Sequence, residues 1–207
     1  MNCRLVAIVV VTLGLSFPAW TQSKTPLAAK PTQDSQVYRN ANFAFRYQIP
    51  YGWVNRTEAM HGEEMREENA ADRAEVLLAV FEHPPEATVD TINSAVVIAS
   101  ESVASYPGLK NAEDYLSLLT ELATSKGFKP EGAPYAIEVE SRHLLRAAFI
   151  KPLEVKTGGA QLTMRQCTLV LLAKGRIASF TFIAGSEDEL DDLMDGLHFG
   201  LAKLSAH

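Results

Sequence analysis

The stretch from Gln161 to Ala184, QLTMRQCTLVLLAKGRIASFTFIA, predicts two β-strands joined by a tight turn. The turn falls at Ala173-Lys174-Gly175-Arg176, where Gly175 can adopt the positive φ that a short hairpin requires. The run from Leu169 to Leu172 is apolar throughout, and both faces of the following strand are apolar or small. Strands buried on both faces have this pattern, whereas half-exposed strands alternate apolar and polar residues. We therefore expect this hairpin near the middle of a sheet that is covered on both faces.

The size and charge of the chain restrict its class. Its 207 residues suit one domain with a short tail, and 47% hydrophobic with 21% charged residues is typical of a folded globular protein. The net charge is −6, and lysines and arginines form no cluster. Because nucleic-acid binding needs a positively charged surface, we expect no nucleic-acid partner.

The N-terminus has the pattern of an export signal. Arg4 provides the positive start, and the apolar run from Leu5 to Phe17 is short for a membrane span. Residues 22–36 are polar and without periodicity, which predicts a flexible leader. We expect a signal peptide over 1–21, a leader over 22–36 and one domain over 37–203, in a protein that is periplasmic or secreted. After signal cleavage no stable membrane span is expected; a retained anchor is the alternative.

The start of the domain contains an aromatic strand. Phe43, Phe45 and Tyr47 alternate with polar or small residues, and a period of two places the three rings on one face. Pro50 and Gly52 are expected to end this strand in a turn.

This opening resembles that of PsbP/Mog1-like domains. The shared positions are Tyr38, Asn40, Phe43, Phe45, Pro50, Gly52 and Trp53. In that family a short first strand precedes an aromatic strand ending in Pro-x-Gly-Trp, followed by strands, a helix, more strands and a terminal helix. The resemblance covers about residues 37 to 203 and implies an exported bacterial member of unknown role. Proteins of this fold are mostly accessory or binding proteins. The resemblance carries over no catalytic residues. The sequence also contains no metal-binding or cofactor motif, so we expect no metal site and no cofactor.

Two helices are predicted, each with one apolar side. The first runs from Asn111 to about Lys126, and the second begins at Ser186, which forms a capping box with Glu189. His198 is expected at the C-terminal end of the second helix, as a partner of the helix dipole. Apolar residues at steps of three and four mark the buried sides. They are Tyr115, Leu118, Leu119 and Leu122 in the first helix, and Leu190, Leu193, Met194 and Leu197 in the second.

These elements indicate an α+β fold. We expect an antiparallel sheet of about six or seven strands flanked by helices, as in the α/β/α sandwich of PsbP/Mog1-like domains.

The most charged stretch runs from Arg56 to Arg73, with six acidic residues around His61. It predicts a solvated helix or loop, or a docking surface for a basic partner. Beside it, Trp53 is expected to anchor the edge of the sheet. A divalent-metal site at His61, Glu64 and Glu68 is an alternative, because steps of three and four place them on one helical face. The candidate interaction surface consists of Tyr51, Trp53, His61, Glu63, Glu64, Glu67 and Glu68.

No sequence motif names a reaction, so the leading hypothesis is a non-enzymatic accessory or interaction domain with an unknown protein partner. A second hypothesis is a small apolar ligand lined by Phe43, Phe45 and Tyr47, although packed core rings explain the same pattern. A third is a hydrolase-type enzyme built from dispersed residues. Its candidates are Cys167 as a thiolate, otherwise a small core residue, and Glu138 with Glu140 as an acid/base pair.

Overall fold

In a computed structural model of the chain, residues 36–64, 74–84, 86–87, 90–154 and 161–200 are described. The strands are β1 (Val37–Asn40), β2 (Phe45–Gln48), β3 (Val54–Asn55), β4 (Glu75–Phe81), β5 (Ala95–Ser102), β6 (Lys129–Pro130), β7 (Tyr135–Val139), β8 (Arg142–Glu154), β9 (Gln161–Ala173), β10 (Arg176–Ala184) and β11 (Leu197–Phe199). The helices are α1 (Thr57–Glu64), α2 (Ala112–Ser125) and α3 (Glu187–Asp195), with a short 3₁₀ helix at Val103–Ser105.

The strands form two antiparallel sheets. The large sheet has eight strands in the order β3-β4-β5-β10-β9-β8-β6, with β7 also paired to β8. The small sheet has the order β1-β2-β11. The predicted antiparallel α+β class is confirmed. The large sheet exceeds the expected strand number partly because the two-residue strand Lys129–Pro130 pairs with Phe149 and Ile150.

The central hairpin, β9 and β10, is confirmed. Ala173 pairs with Arg176, and the two residues between them, Lys174 and Gly175, have φ of 53° and 74°. Two-residue hairpin turns require this left-handed backbone because it matches the twist of the strands. β5 and β8 flank the hairpin, so it lies in the middle of the large sheet.

Both faces of the large sheet are covered. On one face, α2 buries Tyr115, Leu116, Leu119 and Ala123. On the other face, α3 and the small sheet together bury Phe45, Tyr47, Leu190, Leu193 and Phe199. Phe45 meets Phe180 of β10 edge-on, with ring centroids 5.0 Å apart. The apolar runs of β9 and β10 are therefore enclosed between two layers, as their sequence predicts.

The predicted buried side of α2 is partly wrong. Leu118 is 38% exposed and Leu122 is half-buried, whereas Leu116 and Ala123 are buried. Steps of three and four around Tyr115 and Leu119 allow two neighbouring stripes, and contact with the sheet selects the stripe that contains the small Ala123.

The predicted end of the last helix is also wrong. α3 ends at Asp195, and Leu197 and His198 lie in β11, so His198 is not at the helix C-terminus. A side chain at Gly196 would come within 3.0 Å of the Tyr47 ring. Glycine thus lets the chain pass close to β2, where the next residues form β11.

Replacing Leu119 with Ala should lower the free energy of unfolding by about 2–5 kcal/mol, because the side chain is fully buried. Leu118→Ala is the matched control, and its exposed side chain should change stability by less than about 0.5 kcal/mol. Urea unfolding followed by circular dichroism measures both. Equal losses at the two positions would contradict the side of α2 that faces the sheet.

Candidate functional site

The turn between β2 and β3 presents an exposed aromatic ring. Tyr51 is 69% exposed, and the next residue, Gly52, has φ of 83°. The Trp53 N–H donates to the Pro50 carbonyl at 3.3 Å and closes the turn. Trp53 itself is half-buried against the core between the two sheets. Trp53 therefore anchors the turn to the core, while the Tyr51 ring is exposed to solvent.

α1 covers the outer edge of β4, where the two-residue strand β3 is too short to do so. The Ala79 N–H donates to Thr57 Oγ1 at 3.0 Å, and the Ala79 carbonyl accepts from the Arg56 N–H at 2.8 Å. His61 Nε2 contacts the Val76 carbonyl, and because a carbonyl only accepts, Nε2 carries the proton. Three backbone groups of an edge strand are thus satisfied by α1 and the residue before it.

This contact assigns His61 a structural role. Its Nε2–H donates to the Val76 carbonyl, so the ring joins α1 to β4. Within the described part of the chain, no group of three or more His, Cys, Asp and Glu side chains is arranged to hold a metal ion. Glu63 and Glu64 end α1, but their side chains are not described, and Glu67 and Glu68 lie outside the described residues. The structure therefore brings Tyr51, Trp53 and His61 to one edge of the large sheet.

The Cys167 thiol is fully buried in the core between the two sheets. Burial raises its pKa to about 11, against the opposing effect of the neighbouring Arg146 guanidinium. Thiolate is the nucleophilic form, so this environment suits a core residue.

Glu138 and Glu140, considered as an acid/base pair, do not lie on one strand face, because β7 ends at Val139. Glu140 lies in the turn that follows, with φ of 53°. Its carboxylate accepts from the Phe199 N–H at 2.8 Å and lies 3.0 Å from His198 Nδ1. The His198 ring, and then the Phe199 N–H, hold the pKa of Glu140 below its ordinary value. Glu140 thus ties the β7–β8 turn to the small sheet.

The aromatic rings considered as a ligand lining are packed in the core. Phe43, Phe45 and Tyr47 are all buried. The Tyr47 hydroxyl donates to the Leu193 carbonyl at 3.1 Å, and Phe45 contacts Phe180. These contacts are those of side chains that join two layers.

Sequence reasoning missed a buried carboxylate. Glu101 on β5 is 5% exposed and accepts from the hydroxyls of Tyr115, at 2.6 Å, and Tyr106. Burial, and then the Glu101 carboxylate, raise the pKa of Tyr115 well above its ordinary value, so the hydroxyl remains a donor. The sequence does contain a pattern that indicates this burial. The alternation along β5 places Glu101 on the same face as the apolar residues Ala95 and Val97.

Sequence reasoning also missed Arg146, which pairs in register with Tyr135 on β7 and Leu169 on β9. Arg146 is half-buried, and its guanidinium donates to the Tyr135 hydroxyl at 2.6 Å. The guanidinium carbon also lies 5.5 Å from the centre of the Tyr135 ring. Cross-strand register creates this pair, so no pattern along the chain could show it.

In the comparisons with known proteins, only the search of solved structures found proteins similar to this chain. No family model matches the chain, and no curated protein matches it. A cyanobacterial PsbP from Synechocystis has a TM-score of 0.47 and 13% identity, over 84% of this chain and 99% of that one. The Ran-binding protein Mog1p of Saccharomyces cerevisiae has a TM-score of 0.43 and 8% identity, over 81% and 96%. LpqN of Mycobacterium tuberculosis, described as involved in cell envelope biogenesis, has a TM-score of 0.38 and 11% identity, over 81% and 91%.

The similar structures thus include both proteins after which the resembled family is named. Of the helices that the structure describes, none is long and apolar enough to cross a bilayer.

The Cys167 thiol should be unreactive in the folded protein. In a Cys3→Ser chain, where Cys167 is the single thiol, reaction with Ellman's reagent at about pH 8 should be about 100-fold or more slower than in concentrated guanidinium. The physical reason is the raised pKa combined with full burial. Comparable rates in the two conditions would reopen the thiolate hypothesis.

The Glu140 contact should make stability depend on pH. Because the folded pKa lies below the unfolded one, the stabilisation is present above the unfolded pKa and is lost as the pH falls through the folded pKa. Urea unfolding from neutral to acid pH should therefore show Glu140→Gln less stable than wild type at neutral pH, with the difference shrinking in acid. Glu138→Gln, an exposed neighbour, is the control and should show no such trend. A difference that is constant with pH would contradict the role of the Glu140 charge.

Proposed function

We propose that this chain is an exported, non-enzymatic accessory domain that binds a partner protein, with the turn at Tyr51 as its main contact. The observation that carries the proposal is the exposure of the Tyr51 ring, the greatest among the described large apolar side chains. An exposed aromatic ring on a hydrogen-bonded turn loses little conformational entropy on binding, and tyrosine is enriched among the residues that dominate binding energy.

The groups that an enzyme hypothesis needs are already used elsewhere. Cys167 has a raised pKa inside the core, and the Glu140 carboxylate binds His198 and the Phe199 N–H. Both arrangements favour stability over chemistry, which supports the accessory role.

The charge of the neighbouring stretch suggests the chemistry of the partner. Glu63, Glu64, Glu67 and Glu68 follow the turn along the chain, and the protein has a net charge of −6. A basic partner surface would complement them. In this proposal, residues 1–21 direct export to the periplasm or the cell exterior, residues 22–36 form a leader, and residues 37–203 form the binding domain.

The proposal predicts a discrete cross-link at Tyr51. A photoreactive benzoylphenylalanine placed at position 51, in the cells that naturally express the protein, should give one dominant cross-linked partner by mass spectrometry. With the partner identified, Tyr51→Ala should weaken binding by about 2 kcal/mol, or about 30-fold, as expected for a residue that dominates an interface.

Leu118 on α2 is the matched control, because it is an exposed apolar side chain on a different element. The photoreactive residue at position 118 should give no partner, and Leu118→Ala should leave affinity unchanged. Replacing Glu63, Glu64, Glu67 and Glu68 with Gln should preserve folding and weaken a basic partner. Cross-linking that is equal at positions 51 and 118, or absent at both, would overturn the assignment of the contact to Tyr51.

A further inference from the structure

The two outer edges of the large sheet differ in how their backbone groups are satisfied. At one edge, β4 is closed by β3, by Arg56 and by the side chains of Thr57 and His61. At the opposite edge lies β7, which pairs with β8 on one side. Across the described residues, no hydrogen bond reaches the outer side of β7. Since alternate residues of an antiparallel strand point their N–H and C=O groups outward, β7 offers a template for another strand.

The side chains of β7 divide by their period of two. Tyr135, Ile137 and Val139 share the face that carries the small sheet; Tyr135 is 51% exposed, and the other two are half-buried against the core. Ala136 and Glu138 are exposed on the other face. A strand added to this edge would therefore place alternate side chains beside an apolar strip that ends at Tyr135.

Arg146 gives the same strip a positive charge. Its guanidinium is half-buried beside Tyr135, and among the described residues it takes part in none of the ion pairs. Asp191 on α3 acts on the Cys167 thiol, but none of the ion pairs among the described residues joins it to Arg146. By contrast, Arg165 on the neighbouring strand β9 is paired with Glu131 at 3.0 Å. The Tyr135 hydroxyl and the Cys167 thiol are the hydrogen-bond partners of Arg146, and neither is a carboxylate. A guanidinium has five donors in a planar fork that fits a carboxylate, and partial burial of a charge without a counter-charge is costly.

We propose that the β7 edge binds an extended segment of a partner protein, whose backbone pairs with β7 and whose carboxylate side chain binds Arg146. In antiparallel addition the segment has the pattern apolar-x-apolar-x-acid, with the apolar residues opposite Val139 and Ile137 and the acid opposite Tyr135. This surface is separate from the Tyr51 turn, and its test is independent of that proposal.

The probe is a capped peptide with the core Val-Thr-Val-Thr-Glu, added to isotope-labelled full-length protein and followed by amide chemical shifts. Saturable shifts should appear on β7 and around Arg146. The same peptide with Gln in place of Glu should bind about tenfold more weakly, because charge-assisted hydrogen bonds are the strong ones. A peptide methylated at the nitrogens that face β7 should not bind, and this control leaves the protein unchanged.

On the protein side, Arg146→Gln should remove the preference for Glu over Gln while weak backbone-driven binding persists. Arg165→Gln is the matched control and should retain the preference, because Arg165 is already paired with Glu131. The proposal is overturned if the Glu peptide gives no shifts at millimolar concentration, if both peptides bind wild type equally, or if the shifts map away from β7. It is also overturned if the protein doubles its mass without peptide and the β7 shifts follow that change, since a second copy then occupies the edge.

Discussion

The central hairpin is apolar on both of its faces, and this constraint determines the arrangement of the other layers. If a face of Leu, Val and Phe side chains stayed in water, the fold would lose about 25 cal/mol of stabilising free energy for each Å² of apolar surface left exposed. The sheet therefore needs a packed layer on each of its two faces. α2 supplies one of them, and α3 supplies the other together with the small sheet, whose Phe45 reaches Phe180 in the hairpin.

Carboxylates link the helices on both faces of the large sheet to β5 and to Ser94, the residue before it. On one face, Glu101 of β5 accepts from the Tyr115 hydroxyl of α2 at 2.6 Å. On the other face, Glu189 of α3 accepts from the hydroxyl of Ser94, which precedes β5, and from the Gly185 N–H. Apolar contact favours burial of a helix without fixing its direction, whereas hydrogen bonds to a carboxylate are directional and costly to break. These contacts therefore fix where each helix lies on its face.

Because both faces of the large sheet are occupied by packing, the parts of this sheet that remain open to other molecules lie at its rim. The Tyr51 turn leads into β3 at one edge, and β7 forms the other. The first edge is closed by α1, and its exposed feature is a side chain. The second edge offers backbone groups and a guanidinium. The two edges therefore suit different modes of binding, one through an aromatic anchor and one through strand addition.

Features that depend on residues close along the chain follow from local sequence patterns. The positive φ at Gly175 belongs to the hairpin turn, the Asn111 side chain caps α2 through the Asp114 N–H, and Ser186 caps α3 through the Glu189 N–H. The class of the fold follows from the same kind of pattern, because apolar runs and helical stripes specify which elements must be buried.

Features that depend on partners distant along the chain arise only when the chain folds. Glu140 and His198 are 58 positions apart, and only the pairing of β11 with β2 brings them together. The roles of His61 and Arg146 depend in the same way on the neighbouring strands β4 and β7. A pattern along the chain specifies that a side chain is buried or exposed, but the contact it makes is set by the register between strands, which no single segment contains.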